Sequence, residues 1–109
     1  MFEEITDIEE IFLQELDSVL EKEDIKKENY SFESGSDEYK VYLTKENKKW
    51  QVYIIENGQK VALSKFNSIE EALKLFVASI TLDNEKIKRI CEYMLYDFDI
   101  PVTKPTKKK

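Results

Sequence analysis

The feature that most constrains the fold is an alternation of apolar and polar residues that runs from residue 29 to residue 66. A period of two residues is typical of β-strands that bury one face. The alternation predicts four strands, over residues 29–34, 39–44, 50–55 and 60–66. The turns between them are predicted at Gly35-Ser36, Asn47-Lys48 and Asn57-Gly58. Asn-Gly favours a type I′ hairpin turn, because both of its residues tolerate positive φ.

Antiparallel pairing across these turns brings the apolar residues of all four strands to one face of the sheet. The first turn pairs Tyr30 with Val41 and Phe32 with Tyr39. A slip of one residue at any turn would send a strand's apolar set to the other face, so the agreement of the three turns supports this register. The predicted buried set of the last three strands is Val41, Leu43, Val52, Ile54, Val61 and Leu63. Trp50 is expected to be buried near an edge of this core.

Helix-start signals flank the strands on both sides. Residues 6–9 (TDIE) form a capping box that opens a helix over residues 4–22, and residues 68–71 (SIEE) form a second one. Asp83 is placed to cap a third helix, which Pro101 would end. Each of the three segments carries an apolar stripe at helical spacing.

The sequence therefore predicts an α+β fold: a four-stranded antiparallel meander sheet with helices packed on one face, in the order α-β-β-β-β-α-α. Residues 1–100 are expected to form a single domain. Residues 101–109 contain four lysines and no apolar pattern, so a loose basic C-terminal tail is predicted there.

The residue types that most often carry catalysis are scarce. The chain has no histidine, which removes the commonest general base and the commonest metal ligand. Its single cysteine, Cys91, lies on the apolar stripe of the third helix and is expected to be a buried, inert thiol. The sequence therefore predicts a protein that is not an enzyme, with no cofactor and no metal site. A cytoplasmic location without membrane association is expected, since no apolar run is long enough to span a bilayer.

Charge is distributed unevenly along the chain. Residues 1–38 carry 14 acidic residues and three lysines, although the net charge of the whole chain is only −6. An acidic surface of this kind repels nucleic acid and favours a basic protein partner. The candidate docking residues on this half are Glu9, Glu10, Asp17, Glu21, Asp37 and Glu38. An ordinary solvated face is the alternative interpretation of the same charges.

The polar face of the predicted sheet offers a second candidate surface. Tyr42 and Tyr53 are expected to be exposed cross-strand neighbours there, and exposed tyrosines are enriched at protein interfaces. Paired aromatic residues also stabilise a sheet by themselves, so a purely structural role is the alternative.

Two segments carry a resemblance to a known group of proteins. Residues 50–58 read WQVYIIENG and residues 66–76 read FNSIEEALKLF. This succession of a W-x-V-Y strand, a Gly turn, a strand ending in Phe, and a helix opened by Ser and Glu resembles small bacterial immunity proteins of polymorphic and contact-dependent toxin systems. The resemblance implies a non-catalytic inhibitor that binds and neutralises a protein toxin, with a basic nuclease as one candidate target.

Two other functions remain open on the sequence alone. One is a phage- or mobile-element-encoded inhibitor of a nucleic-acid-binding machine, such as an anti-CRISPR protein or a DNA mimic. The other is a regulatory adaptor whose partner is not a toxin. The expected partner is a protein, a toxin domain with a basic surface, and no direct contact with nucleic acid or a membrane is expected. The protein itself is expected to be a monomer or weak dimer.

Overall fold

The computed structural model describes residues 5–98, which form three α-helices and one four-stranded sheet. In chain order the elements are α1 (Asp7–Lys22), a one-turn 3-10 helix (Lys27–Asn29), β1 (Tyr30–Ser31), β2 (Val41–Glu46), β3 (Lys49–Glu56), β4 (Gln59–Phe66), α2 (Ile69–Ile80), α3 (Asn84–Glu92) and a π-helical turn (Tyr93–Asp97). The predicted α+β class is confirmed, and the strands lie in the order β1-β2-β3-β4. The predicted tail lies outside the described residues. The predicted helix end at Pro101 is wrong, because the π-helical turn ends at Asp97 and Phe98 already has an extended backbone.

Each helix begins at a side-chain cap that the sequence predicted. The Thr6 hydroxyl accepts a hydrogen bond from the Glu9 amide at 3.1 Å, and the Glu9 carboxylate accepts one from the Thr6 amide at 3.1 Å. This exchange satisfies two of the N–H groups that a helix start leaves open. Ser68 and Asp83 likewise accept backbone N–H groups at the starts of α2 and α3.

The two hairpins of the sheet have the predicted turns. Asn47 and Lys48 have φ angles of 54° and 68°, and the turn at Asn57 and Gly58 has angles of 52° and 76°. Positive φ at both central residues defines a type I′ turn, whose twist matches that of the flanking strands. The register between β2 and β3 is as predicted: Val41 lies opposite Ile54, Leu43 opposite Val52, and Tyr42 opposite Tyr53.

The first strand differs from the prediction in length and in direction. Tyr30 lies opposite Val41 as expected, but β1 has two residues and runs parallel to β2. The Ser31 hydroxyl donates to the Glu33 carbonyl at 2.9 Å and accepts from its amide at 3.0 Å. This turn bends the chain directly after β1. The predicted hairpin at residues 35–36 is therefore wrong, and residues 32–40 cross over a face of the sheet instead.

A β-bulge in β4 changes the predicted register of the last hairpin. Ile54 lies opposite Val61 as expected, but Val52 lies opposite Ser64, so two residues of β4 face one residue of β3. The bulge turns the Leu63 side chain away from the core, and 42% of the surface of Leu63 is exposed to solvent. The prediction that Leu63 is buried is therefore wrong. Bulges bend a strand in this way, and they are common on strands at the edge of a sheet.

All three helices contribute to a core on one face of the sheet, as predicted. Leu16 of α1, Phe76 of α2 and Ile90 of α3 are fully buried there together with Leu43 and Trp50 of the sheet. The complete burial of Trp50 confirms its predicted position. In the same core, Tyr30 of the short first strand packs edge-on against Phe76, with 6.0 Å between ring centroids. This contact anchors β1 to α2.

The bulge generates a stability prediction at Ala62. This exposed residue has φ 54°, a conformation that costs an L-residue roughly 1–2 kcal/mol and glycine much less. We expect Ala62→Gly to raise the free energy of unfolding by about 0.5–1 kcal/mol in urea titrations. The matched control is Ala78→Gly on the exposed side of α2, which should lower it by about 0.5–1 kcal/mol. A loss of stability in both variants would contradict the assigned bulge.

Candidate functional site

A groove of about 530 Å³ lies between α1 and the short strand β1. Its lining includes Leu13 of α1, Tyr30 of β1 and Phe32, which follows β1. Leu13 and Tyr30 are almost completely buried, so they form the floor. The rings of Tyr30 and Phe32 lie 5.4 Å apart, and Phe32 also packs on Phe76 at 5.7 Å. The floor of the groove is thus apolar and is fixed by the main core.

The rim of the groove is acidic. Glu10, Asp17 and Glu33 line it together with one cation, Lys27. The spacing of Glu10, Asp17 and Glu21 places all three on one side of α1, because residues seven and eleven positions apart lie on the same helical stripe. Glu10, Glu21 and Glu33 are exposed. Their carboxylates have no hydrogen-bond or ion-pair partner within residues 5–98.

Asp17 is the one rim carboxylate with internal partners. It accepts hydrogen bonds from the Tyr30 hydroxyl at 2.5 Å and from the Lys27 amine at 2.8 Å. Partial burial opposes its ionisation, but these two hydrogen bonds outweigh burial and hold the pKa of Asp17 below its ordinary value. Burial and the hydrogen bond to Asp17 raise the pKa of Tyr30, and the same carboxylate raises the pKa of Lys27. At neutral pH Asp17 is therefore ionised, Lys27 is protonated and Tyr30 is neutral. Three side chains that keep these charge states are suited to binding a charged partner rather than to transferring protons.

Glu9, which the sequence placed on the docking surface, is a structural residue. Its carboxylate accepts hydrogen bonds from the Lys45 amine at 2.9 Å and the Trp50 indole at 3.1 Å, in addition to the Thr6 amide. The side chains of Glu9 and Lys45 are both largely buried in this contact. Burial opposes ionisation of Glu9, yet the hydrogen bonds from Lys45, Thr6 and Trp50 together lower its pKa. The expectation that Glu9 is exposed and uncompensated is wrong.

Asp37 and Glu38 are exposed as predicted, but they do not belong to the same surface as α1. They lie on the segment 32–40, which crosses the face of the sheet opposite the helices. The Asp37 amide donates to the Tyr42 hydroxyl at 2.8 Å, and the Glu38 carboxylate accepts from the Gly58 amide at 3.3 Å. The six acidic candidates are therefore divided between two sides of the molecule, and of them Glu10 and Asp17 line the groove.

The tyrosine surface predicted from the sequence is buried. Tyr42 and Tyr53 have 2% and 1% of their surface exposed, and their rings stack at 5.0 Å. With Ile55 they form a second, smaller core on the far face of the sheet. Segment 32–40 covers this core, and a Cβ on Gly35 would lie 3.0 Å from the Tyr42 hydroxyl oxygen. The prediction that Tyr42 and Tyr53 are exposed is wrong, because periodicity alone cannot reveal a covering loop.

Only Glu10 and Asp17 of the groove were candidates from the sequence, and eight lining residues were missed: Ile5, Leu13, Gln14, Lys27, Tyr30, Ser31, Phe32 and Glu33. The spacing of Glu10, Asp17 and Glu21 already indicated that these acids lie in a row on one flank of α1. The opposite wall of the groove, formed by β1 and the residues that follow it, could not be predicted from the sequence. Its position depends on the parallel pairing of β1 with β2. Asp17 was a candidate docking residue from the sequence, and the structure places it on the groove rim with two partners, Lys27 and Tyr30, that the sequence did not reveal.

Comparison with known proteins gives no relative to which the site could be matched: no family model, curated protein or solved structure matches the chain. Within residues 5–98, no group of three or more Cys, Asp or Glu side chains is arranged to hold a metal ion. None of the helices in the same range has the length and apolar character that crossing a membrane requires.

The role of Glu9 predicts a dependence of stability on pH. A carboxyl whose pKa is lowered by folding stabilises the protein above its unfolded pKa, and that contribution is lost as the pH falls through the folded value. We expect Glu9→Gln to lower the free energy of unfolding by about 1–2 kcal/mol at pH 7. The difference from the wild type should shrink below the ordinary pKa of 4.5. Glu10→Gln, in the same helical turn, is the control and should change stability by less than about 0.5 kcal/mol. Equal effects of the two substitutions would contradict the assignment.

The buried tyrosine pair predicts opposite effects for two matched substitutions. The Tyr42 hydroxyl accepts from the Asp37 amide, whereas the Tyr53 hydroxyl is buried without a hydrogen-bond partner among the described residues. An unpaired buried hydroxyl costs free energy, and a paired one contributes about 1 kcal/mol. We expect Tyr42→Phe to lower the urea midpoint and Tyr53→Phe to leave it unchanged or raise it. A larger loss at position 53 than at position 42 would show that segment 32–40 lies differently.

Proposed function

We propose that the protein is a non-catalytic inhibitor that binds and neutralises a protein toxin with a basic surface. The observation that supports this proposal is the acidic flank of α1, where Glu10, Asp17 and Glu21 lie in one row beside an apolar groove. Of these three, only Asp17 has an ion-pair partner in the described part of the chain. An anionic surface beside an apolar groove suits a basic partner, because it combines electrostatic steering with a hydrophobic contact.

A toxic nuclease is the target that this chemistry suits best. Nucleases must attract phosphates, so the surface around their substrate groove is basic. A protein that presents fixed carboxylates can occupy such a surface and compete with the substrate. Fixed anions are what α1 provides, since the Asp17 pKa is lowered rather than raised.

The state of the one thiol supports a binding role rather than catalysis. Cys91 is buried on α3, and burial raises the pKa of its thiol. A thiol in that environment stays protonated at neutral pH, and the thiolate is the form that acts as a nucleophile.

The test first identifies the partner protein and then measures how the acidic residues of α1 affect its association. The tagged full-length protein is crosslinked in its native cells, and the captured protein is identified and purified. We expect the partner to be toxic when expressed alone, and to lose its activity when one equivalent of this protein is added. The double substitution Glu10→Lys/Glu21→Lys should slow association by about tenfold or more at low salt, with a smaller effect at high salt.

The control is a double substitution of equal charge on other helices. Glu70→Lys/Glu85→Lys changes two exposed residues at the starts of α2 and α3, so it reproduces the change in net charge. Association should be much less affected by this variant. Equal slowing by both double variants, or a partner that is itself acidic, would refute docking through α1. A non-toxic partner would refute the toxin-inhibitor function and leave the phage-type inhibitor and the regulatory adaptor, which the identity of the partner then distinguishes.

A further inference from the structure

Asp17 is held by two partners of different character. The Tyr30 hydroxyl, which donates at 2.5 Å, belongs to a side chain that is buried and packed on Phe76. The Lys27 amine, which donates at 2.8 Å, belongs to a side chain that is 60% exposed and extends from a one-turn 3-10 helix. Tyr30 thus fixes the carboxylate, while Lys27 covers it from the solvent side.

We propose that Lys27 occupies, within the chain, the position that an arginine or lysine of a partner protein takes in the complex. An exposed ion pair gains little net free energy, because both charges lose hydration and the long side chain loses freedom. Displacing Lys27 therefore costs little, and Asp17 stays oriented by Tyr30 when it is displaced. Arginine is the better competitor, since its planar guanidinium can bind both carboxylate oxygens at once.

The neighbouring residues define the rest of the partner segment. Leu13 and Phe32 line the groove next to Asp17 and offer an apolar contact, while Glu10 and Glu33 provide free carboxylates on the rim. The chemistry that fits is a basic residue, then an apolar side chain, then a second basic residue. This inference rests on the proposed function only in assigning that segment to a toxin.

Two other occupants of the groove fit less well, and a third is decided by experiment. Addition of a strand to β1 is opposed because the Ser31 hydroxyl already binds both the amide and the carbonyl of Glu33. A second copy of this protein would bring one acidic rim against another. The chain's own residues 101–109 carry four lysines, so they are tested directly below.

The probe is the blocked tripeptide acetyl-Arg-Leu-Arg-amide, titrated into the ¹⁵N-labelled full-length protein and followed by NMR. We expect the amide signals of Leu13, Asp17 and Phe32 to shift, and acetyl-Glu-Leu-Glu-amide to leave them unchanged. Lys27→Gln should tighten binding of the basic peptide by about threefold, the value expected for removing an exposed internal ion pair. Lys74→Gln is the matched control, because it removes the same charge from the exposed side of α2 and should alter affinity much less.

A second pair of variants tests the acidic rim. Glu10→Lys should weaken peptide binding by about threefold or more, whereas Glu70→Lys, an exposed residue at the start of α2 outside the groove lining, should not. Equal effects within each pair, or peptide shifts that map away from the groove, would overturn the proposal. It would also be overturned if replacing the four tail lysines by glutamine tightened peptide binding more than Lys27→Gln, since the tail would then be the occupant. Groove signals that move with protein concentration would assign the site to a second copy.

The two proposals fail in distinguishable ways. If the protein neutralises a toxin but Lys27→Gln changes neither peptide nor toxin affinity, the role of Lys27 is refuted and the inhibitor function stands. If the peptide binds as expected but the native partner is not toxic, the groove assignment stands and the inhibitor function is refuted.

Discussion

The Glu9 carboxylate fixes α1 on the sheet, and the position of every other acidic side chain of this helix follows from that contact. Glu9 joins the helix start to Lys45 of β2 and Trp50 of β3. Eight residues further, about 12 Å along the axis, Asp17 meets Tyr30 of β1. On the opposite flank, Glu15 accepts from the Tyr93 hydroxyl. The helix is thus held on both sides by carboxylates that have internal partners, while the exposed Glu10 lies on the rim of the groove.

Local chemistry made part of this arrangement predictable. The capping box at Thr6, the type I′ turns and the register of β2 on β3 are each decided by a few neighbouring residues, so pattern and structure agree. Strand direction is different: Tyr30 can lie opposite Val41 in either a parallel or an antiparallel pair, and alternation does not distinguish them. The bulge at Ala62 was also hidden, because alanine gives no signal for positive φ.

The candidate site was predictable only in its charge, because partner assignments depend on distant contacts. Glu9 and Glu10 are neighbours in sequence, yet one carboxylate meets Lys45, 36 residues away, and the other faces solvent at the groove. The net charge of the sequence segment counts Glu9 and Glu10 equally, although only one of them is exposed. Tyr42 and Tyr53 show the same limitation, since their alternation is that of a solvent-facing row while segment 32–40 covers them. Gly35 was the available clue, because a larger side chain there would meet the Tyr42 ring.

The two cores explain why the groove can hold its shape without a ligand. The floor residue Tyr30 belongs to a strand of only two residues, which would be weak alone, and Phe32 directly follows that strand. Tyr30 and Phe32 both pack against Phe76 of α2. Segment 32–40 is held on the far face of the sheet by the hydrogen bond from the Asp37 amide to the Tyr42 hydroxyl. Burial on both faces of the sheet therefore stabilises one wall of the groove, and Glu9 stabilises the other. A site whose walls are already ordered loses little conformational entropy when a partner binds. The exposed Lys27 side chain is then the main element that has to move.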